Sequence, residues 1–368
     1  MNSQIVSLGN EPILGDPYME FLRQEGVPVY EDFGVDLFEV EPKQWDRFGA
    51  NGAVVHLKGR GDFISMFLLE LPPGKSGSPQ CHMYEEVVYV LSGSGSTTIE
   101  SAEGRKHSFE WSTGSLFAIP LNAKYRHFNG SGIESAKLIC TTNVPAVMNM
   151  FHNTDFVFNS TLNFSNRMGQ DKHFGGGGDF IPIGPGKLMW ETNFVPDLVT
   201  TELKHWPERG AGGKNVSFML ADGTMHAHIS EMPVGTYKKA HAHPADFHVM
   251  CVVGEGYSLL WYPGDKDFTR VDWKYGTVFA PPDNMFHQHF NTSNVPARYL
   301  ATAFGNKRYP FTEAKRKALY GGLSTGTKNG GSQIEYEDQS PLIARLYKEA
   351  TQKNGVEVQM SEFNIPEN

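Results

Sequence analysis

Two stretches of this chain copy each other. FEWSTGSLFAIPLNAKYRHFNGS (109–131) lies against VDWKYGTVFAPPDNMFHQHFNTS (271–293) at an offset of 162. Trp, Gly, Phe, Ala, Pro, Asn, His, Phe, Asn and Ser recur in register. Upstream, QCHMYEEVVYVLSGSG (80–95) lies against HAHPADFHVMCVVGEG (241–256) at an offset of 161. A unit of about a hundred residues is therefore duplicated, and any fold must be built twice.

Each unit reads as β. VVYVL, TTIE and SLFAIP in the first, and HVMCVV, YSLLWY and TVFAPP in the second, are short β-branched or aromatic runs bounded by Gly, Ser and Asn. Such runs build a sandwich or barrel. The 39 Gly and 22 Pro suit many short strands and tight turns. Helical periodicity is confined to PYMEFLRQEG (17–26) and SPLIARLYKEATQKNG (340–355), one in each arm. The segments divide as an N-terminal arm (1–45), a first unit (46–155), a Gly- and Pro-rich connection (156–205), a second unit (206–310) and a C-terminal arm (311–368). Long arms are expected to wrap the partner unit or a neighbouring subunit, which suggests a homo-oligomer.

At 368 residues and 39% hydrophobic content, two cores can be buried. The net charge of −9 is spread along the chain, which argues against nucleic acid or an anionic membrane as partner. The first residues lack a basic and then apolar leader, and no run reaches membrane-span length. Cys81, Cys140 and Cys251 are too few and too scattered for a disulfide framework, which fits a cytoplasmic protein.

The repeated segments resemble the two motifs of the cupin superfamily: His-x-His followed by Glu and Gly, then Gly, Pro, His and Asn. Both occur twice, so the chain resembles a bicupin over roughly residues 50–145 and 210–305. The resemblance implies an all-β fold of two double-stranded β-helix (jelly-roll) barrels flanked by extended arms. In the second unit His241, His243, Gly254, Gly276, Pro282, His287 and Asn291 match; Asn284 replaces a glycine and Phe247 replaces the glutamate. A site of three histidines is implied.

Residues i and i+2 of a strand share a face, so His241 and His243 can both aim inward, and His287 on a neighbouring strand completes three imidazoles. Such a face leaves open coordination positions for substrate and for O2 or water. One divalent transition metal per chain is expected, with Fe(II) favoured and Mn, Zn or Ni open. His248 and Asp246 have the opposite parity to His243; a bulge in PADF would turn them inward, which keeps His248 as a further candidate ligand. Phe247, His289, Tyr257 and Trp261 are candidate pocket residues. Lys238, Lys239, Arg270 and Arg298 are nearby cations for an anionic substrate. His226 and His228 repeat the i, i+2 spacing without a following second motif, and read as outer-face or core residues.

In the first unit Gln80, His82, Glu86 and Tyr125 stand at the motif positions. Gln and an un-ionised phenol are poor ligands, so this set is expected to form a metal-free hydrogen-bonded network. A second substrate pocket or a weak metal site is the alternative. His127 and His289 occupy equivalent places, which favours a structural role for both.

The three-histidine pattern in a doubled chain resembles gentisate-type dioxygenases. That implies a non-haem Fe(II) dioxygenase acting on a small hydroxylated aromatic compound or acid. In the gentisate type the site lies in the first barrel, and here it lies in the second. A non-oxidative decarboxylase, isomerase, lyase or hydrolase is the alternative enzyme; a storage or small-ligand-binding bicupin is the alternative outside catalysis.

Overall fold

The computed structural model describes residues 7–8, 11–12, 15–60, 62–184, 187–244, 247–311, 313, 316 and 324–366. Asp246 lies outside them. Among the described residues the chain forms two β-barrels, each closed by a large and a small sheet. In the first barrel, Glu86–Ser92, Ala136–Thr142, Ser65–Leu71 and Ala50–Val55 form the centre of the large sheet. Lys106–Ser112, Ser94–Glu100 and Lys124–Asn129 form the small one. In the second barrel, Lys214–Leu220, Met225–Met232, Ala297–Phe304 and Phe247–Val253 run through the large sheet. Its small sheet holds Thr269–Lys274, Glu255–Trp261, Phe286–Asn291 and Ala240–His241.

The large sheets pack against each other. SMFLLEL (65–71) is therefore buried on both faces, and it is apolar almost throughout. Phe67 and Leu69 fill the first barrel, while Met66 and Leu68 enter the core shared with the second. KHSFEWS (106–112) in the small sheet alternates strictly between exposed and buried, because one of its faces meets water. Ile139 and Leu300 occupy equivalent places and meet in the shared core. Thr302 Oγ1 lies 3.3 Å from Thr141 Oγ1, its own counterpart, so the pseudo-twofold axis passes between them.

The arms do not wrap alike. Gly34–Asp36, from the N-terminal arm, pairs with Thr277–Phe279 of the second barrel. Phe194–Val195, from the connection, pairs with Leu116–Ile119 of the first. Each barrel thus receives an edge strand from the segment that precedes the other. The C-terminal helix Pro341–Lys353 and the strand Gln333–Ile334 cover the second barrel of their own chain. The N-terminal helix is Pro17–Glu25, capped by Asp16 accepting from the Met19 amide at 3.0 Å and stopped by Gly26 at φ +69°. The connection is structured: Asp179–Gly184 and Lys187–Thr192 form a hairpin, and the second strand runs parallel to Lys214–Leu220. None of the described helices is long and apolar enough to cross a membrane.

The duplicated Gly-x-Gly has a physical cause. Gly93 and Gly254 turn the chain at φ +89° and +82°. Gly95 and Gly256 instead leave room for a tryptophan. A Cβ on Gly256 would stand 2.0 Å from the Phe290 carbonyl and 2.6 Å from the Trp273 ring. On Gly95 it would meet the Phe128 carbonyl at 2.0 Å and Trp111 at 2.5 Å. Gly256→Ala and Gly95→Ala should each destabilise the fold by roughly 1–3 kcal/mol through overpacking. Urea unfolding midpoints will show the loss, and an unchanged midpoint would contradict this packing.

Candidate metal centre

Ala240–His241 pairs with Phe286–Asn291 so that His241 lies directly opposite His287. His243 follows just past the end of that short strand. One ligand atom from each of His241, His243 and His287 lies within 4.8 Å of the other two. The ring centroids of His241 and His243 are 4.2 and 4.6 Å from that of His287.

The donor set fits a divalent transition metal. His243 Nδ1 lies 2.9 Å from the Pro244 carbonyl, and His287 Nδ1 lies 3.1 Å from that of Met285. A carbonyl only accepts, so each Nδ1 carries the proton and each Nε2 keeps its lone pair for a metal. His241 Nδ1 is buried without a hydrogen-bond partner. Burial holds His241 well below its ordinary pKa and lowers His287 to about 4, so both imidazoles are neutral ligands near pH 7.

These histidines line a cavity of about 110 Å³ between the two sheets of the second barrel. Phe247 and His289 also line it, and the Phe247 ring centroid is 4.2 Å from that of His243. Phe247 fills the motif's glutamate position with an apolar wall. His289 Nδ1 is 2.8 Å from Ser258 Oγ, which accepts from Trp273 at 3.0 Å. The first barrel repeats this chain with His127, Thr97 and Trp111 at 2.7 and 2.9 Å.

Three expectations need correction. Tyr257 and Trp261 lie outside the cavity. On their strand Ser258 faces the barrel interior, so the odd-numbered residues face outward, where they pack with Tyr347 of the C-terminal helix. His248 faces the shared core between the barrels, away from the three histidines, because the strand alternates without a bulge there. His226 and His228 are not outer-face residues: both line the cavity, with His226 Nε2 2.8 Å from His228 Nδ1.

Among the four nearby cations only Lys238 enters the cavity. Lys239 pairs with Glu335, Arg270 with Asp272 and Arg298 with Glu231. Lys238 is 3% exposed, and its ammonium donates to the Tyr299 hydroxyl at 3.0 Å. Burial lowers its pKa. Arg209, also buried, lines the same space, where burial lowers it to about 10. No carboxylate lines the cavity among the described residues. The hairpin of the connection closes one side through Ile183 and Leu188.

Among the described residues, the interior of the first barrel is filled by a packed hydrophobic cluster. His82 Nδ1 donates to the Tyr84 carbonyl at 2.8 Å, and its Nε2 is 2.9 Å from Glu86 Oε2. Tyr125 donates to the same carboxylate oxygen at 2.8 Å. Gln80 stands apart from this network and donates to the Arg47 carbonyl at 2.7 Å. Three groups, not four, therefore make the buried network.

Residues 67–142 match the family model described as the cupin domain. The chain therefore carries a cupin domain over that stretch. Solved structures similar to this chain include variants of oxalate decarboxylase from Bacillus subtilis. A tryptophan-to-tyrosine variant has TM-score 0.48 and 16% identity over 74% of this chain and 77% of that one. A glutamate-to-alanine variant has TM-score 0.49 and 16% identity over 75% and 78%. No curated protein sequence matches the chain.

Burial pushes the Glu86 carboxyl up, but the hydrogen bond and charge of His82 outweigh it and hold the group below its ordinary value. The pair therefore contributes stability above the ordinary carboxylate range, and loses it as the pH falls through the lowered native value. Glu86→Gln should cost roughly 3–5 kcal/mol in urea unfolding at pH 7, by leaving a buried partner uncompensated. It should leave bound metal unchanged, and metal lost with Glu86 would mean that the first barrel binds an ion.

Proposed function

We propose that this bicupin is a metal-dependent enzyme acting on a small anionic molecule, and that its reaction consumes dioxygen. The observation that carries this reading is a buried Lys238 in a cavity with three convergent imidazoles and, among the described residues, no carboxylate. Three neutral ligands leave the charge of a divalent ion uncompensated. A buried ammonium beside it adds to that positive potential, and an anionic substrate offsets both.

His241, His243 and His287 would hold the metal, with Fe(II) favoured and Mn, Zn or Ni as other occupants. A bound transition metal of this kind supplies adjacent open positions for a chelating substrate and for dioxygen. Lys238, steadied by Tyr299, binds the substrate's negative group. Phe247 and Tyr299 provide flat aromatic surface, which suits a hydroxylated aromatic acid. Ile183 and Leu188 restrict water on the open side.

A second reading rests on the Lys238–Tyr299 pair itself. An ammonium donating to a phenol oxygen leaves the phenol proton free to be given to substrate, an acid–base unit that a decarboxylase, isomerase, lyase or hydrolase requires. A storage or binding bicupin would have no turnover at all.

Metal analysis of the purified protein should find about one transition-metal ion per chain, lost in His241→Ala and in His287→Ala. Oxygen-electrode assays with hydroxylated aromatic acids should then show oxygen uptake. Lys238→Met should keep the metal and lower kcat/KM for acids by roughly 100-fold or more. Turnover without oxygen uptake would select the second reading, and absence of metal after reconstitution would end both.

A further inference from the structure

The cavity holds a second histidine pair, which the binding of metal and anion leaves unused. His226 and His228 stand on Met225–Met232, a strand in the middle of the large sheet. Ala227 and Ile229 of that strand enter the core shared by the barrels. His226 and His228 therefore face the interior of the second barrel, where both line the cavity. His241 and His287 reach the same space from the small sheet. Phe247 touches both groups. Its ring centroid is 4.2 Å from that of His243, 5.8 Å from that of His226 and 6.5 Å from that of His228. A molecule held at the three imidazoles thus lies beside the pair.

The two rings share one hydrogen bond: His226 Nε2 is 2.8 Å from His228 Nδ1. One of these nitrogens carries the proton and the other accepts it. Nε2 of His228 lies on the far side of its ring from this bond. Seven residues of the strand are buried and His228 alone is half-buried, so the surface it keeps is cavity surface. When the shared proton sits on His226, Nε2 of a neutral His228 is a donor. When the shared proton sits on His228, that same Nε2 is an acceptor. Moving one proton between the rings therefore switches what the cavity meets.

The pair is not part of the barrel frame. At the same offset the first barrel, which lacks the three histidines, has Ser65 and Phe67. Phe67 there is core filling. The histidine pair thus accompanies the metal ligands rather than the fold. Burial first, then His226, Lys238, Arg209 and Lys307, hold His228 well below its ordinary pKa, so it is neutral near pH 7 and has a lone pair to offer.

We propose that His228 takes a hydroxyl proton from the substrate and that His226 relays it. This rests on the function proposed above and narrows its substrate to one with an ionisable hydroxyl. At the start His228 Nδ1–H donates to His226 Nε2. The substrate O–H bond breaks, its electron pair stays on oxygen, and the proton bonds to His228 Nε2. The Nδ1 proton passes to His226 Nε2. The negative charge is then on the substrate oxygen and the positive charge on His226, and nothing is oxidised or reduced. His228 is the catalytic residue; His226 acts through it.

The test is the anaerobic visible spectrum of 4-nitrocatechol, whose colour changes as each hydroxyl ionises, bound to metal-loaded protein near pH 7. Metal content and kcat for oxygen uptake with hydroxylated aromatic acids are measured beside it. The wild-type protein should hold the probe with both hydroxyls ionised. His228→Gln and His226→Gln keep an amide that hydrogen-bonds but cannot take a proton. Each should retain the metal, hold the probe singly ionised and lose roughly 100-fold in kcat. A wild-type spectrum in both variants, or a singly ionised probe on metal-loaded wild-type protein, would overturn the proposal. A wild-type spectrum in His226→Gln alone would overturn the relay, since a merely structural partner is replaced by the amide. Metal lost with His228→Gln would make it a ligand and overturn its role as base. Doubly ionised probe without oxygen uptake would support the pair while removing the dioxygen reading. Protein that takes up no metal would end the proposed function, and the relay with it.

Discussion

The contact on which the architecture depends is the face-to-face packing of the two large sheets. It buries Met66, Leu68, Val87 and Ile139 of one barrel against Met250, Val252 and Leu300 of the other. Each such side chain contributes roughly 1.5–3 kcal/mol by leaving water. The exchanged edge strands reinforce this contact, and Leu37 and Leu198, which follow them, are both fully buried within it. Because these sheets are buried on both sides, each residue of a central strand has only two destinations. Phe247 and Val249 go to the cavity; His248 and Met250 go to the seam. A polar residue on such a strand is therefore never simply solvated, and it must find a partner or a ligand.

The duplication makes the two interiors directly comparable. Where the second barrel places His228, Lys238 and Tyr299 around its cavity, the first has Phe67, Gly77 and Leu138 at the same offset. Phe67 and Leu138 belong to a packed hydrophobic core. The Trp–hydroxyl–His chains are kept in both barrels, so they belong to the frame. The second barrel gives up apolar filling for buried cations and imidazoles. That exchange costs folding free energy on its own and makes sense only with something bound.

Much of this was legible in the sequence, and the rest was hidden for one reason. The repeat showed that the fold is built twice, and motif spacing singled out the three histidines whose donor atoms converge. Parity along the strands was harder. A strand buried on both faces carries no alternation of apolar and polar residues, so nothing in MHAHIS says which face meets a cavity. His226 and His228 were read as outer-face or core residues for that reason. Tyr257 and Trp261 pointed outward because a helix from the C-terminal arm covers that face with its own apolar side, and sequence proximity gives no sign of such a distant cover. The first barrel's network lost Gln80 to a backbone carbonyl some thirty residues upstream, a long-range hydrogen bond that no local pattern encodes.

Electrostatics explains why the cavity can be so positive in a chain of net charge −9. Most acids of the described residues are not buried, and water screens them; Glu85, Glu86 and Glu231 are buried outside this cavity. Inside the second barrel the dielectric is low, and Lys238 and Arg209 act on the imidazoles without a carboxylate between them. Burial first, and Arg209 after it, keep His241 and His287 neutral and available as ligands; Lys238 adds to the same effect at His228 and His289. The same field that protects their lone pairs opposes a cation entering alone. On the proposed function, metal and anionic substrate would be coupled, because each would lower the electrostatic cost of holding the other.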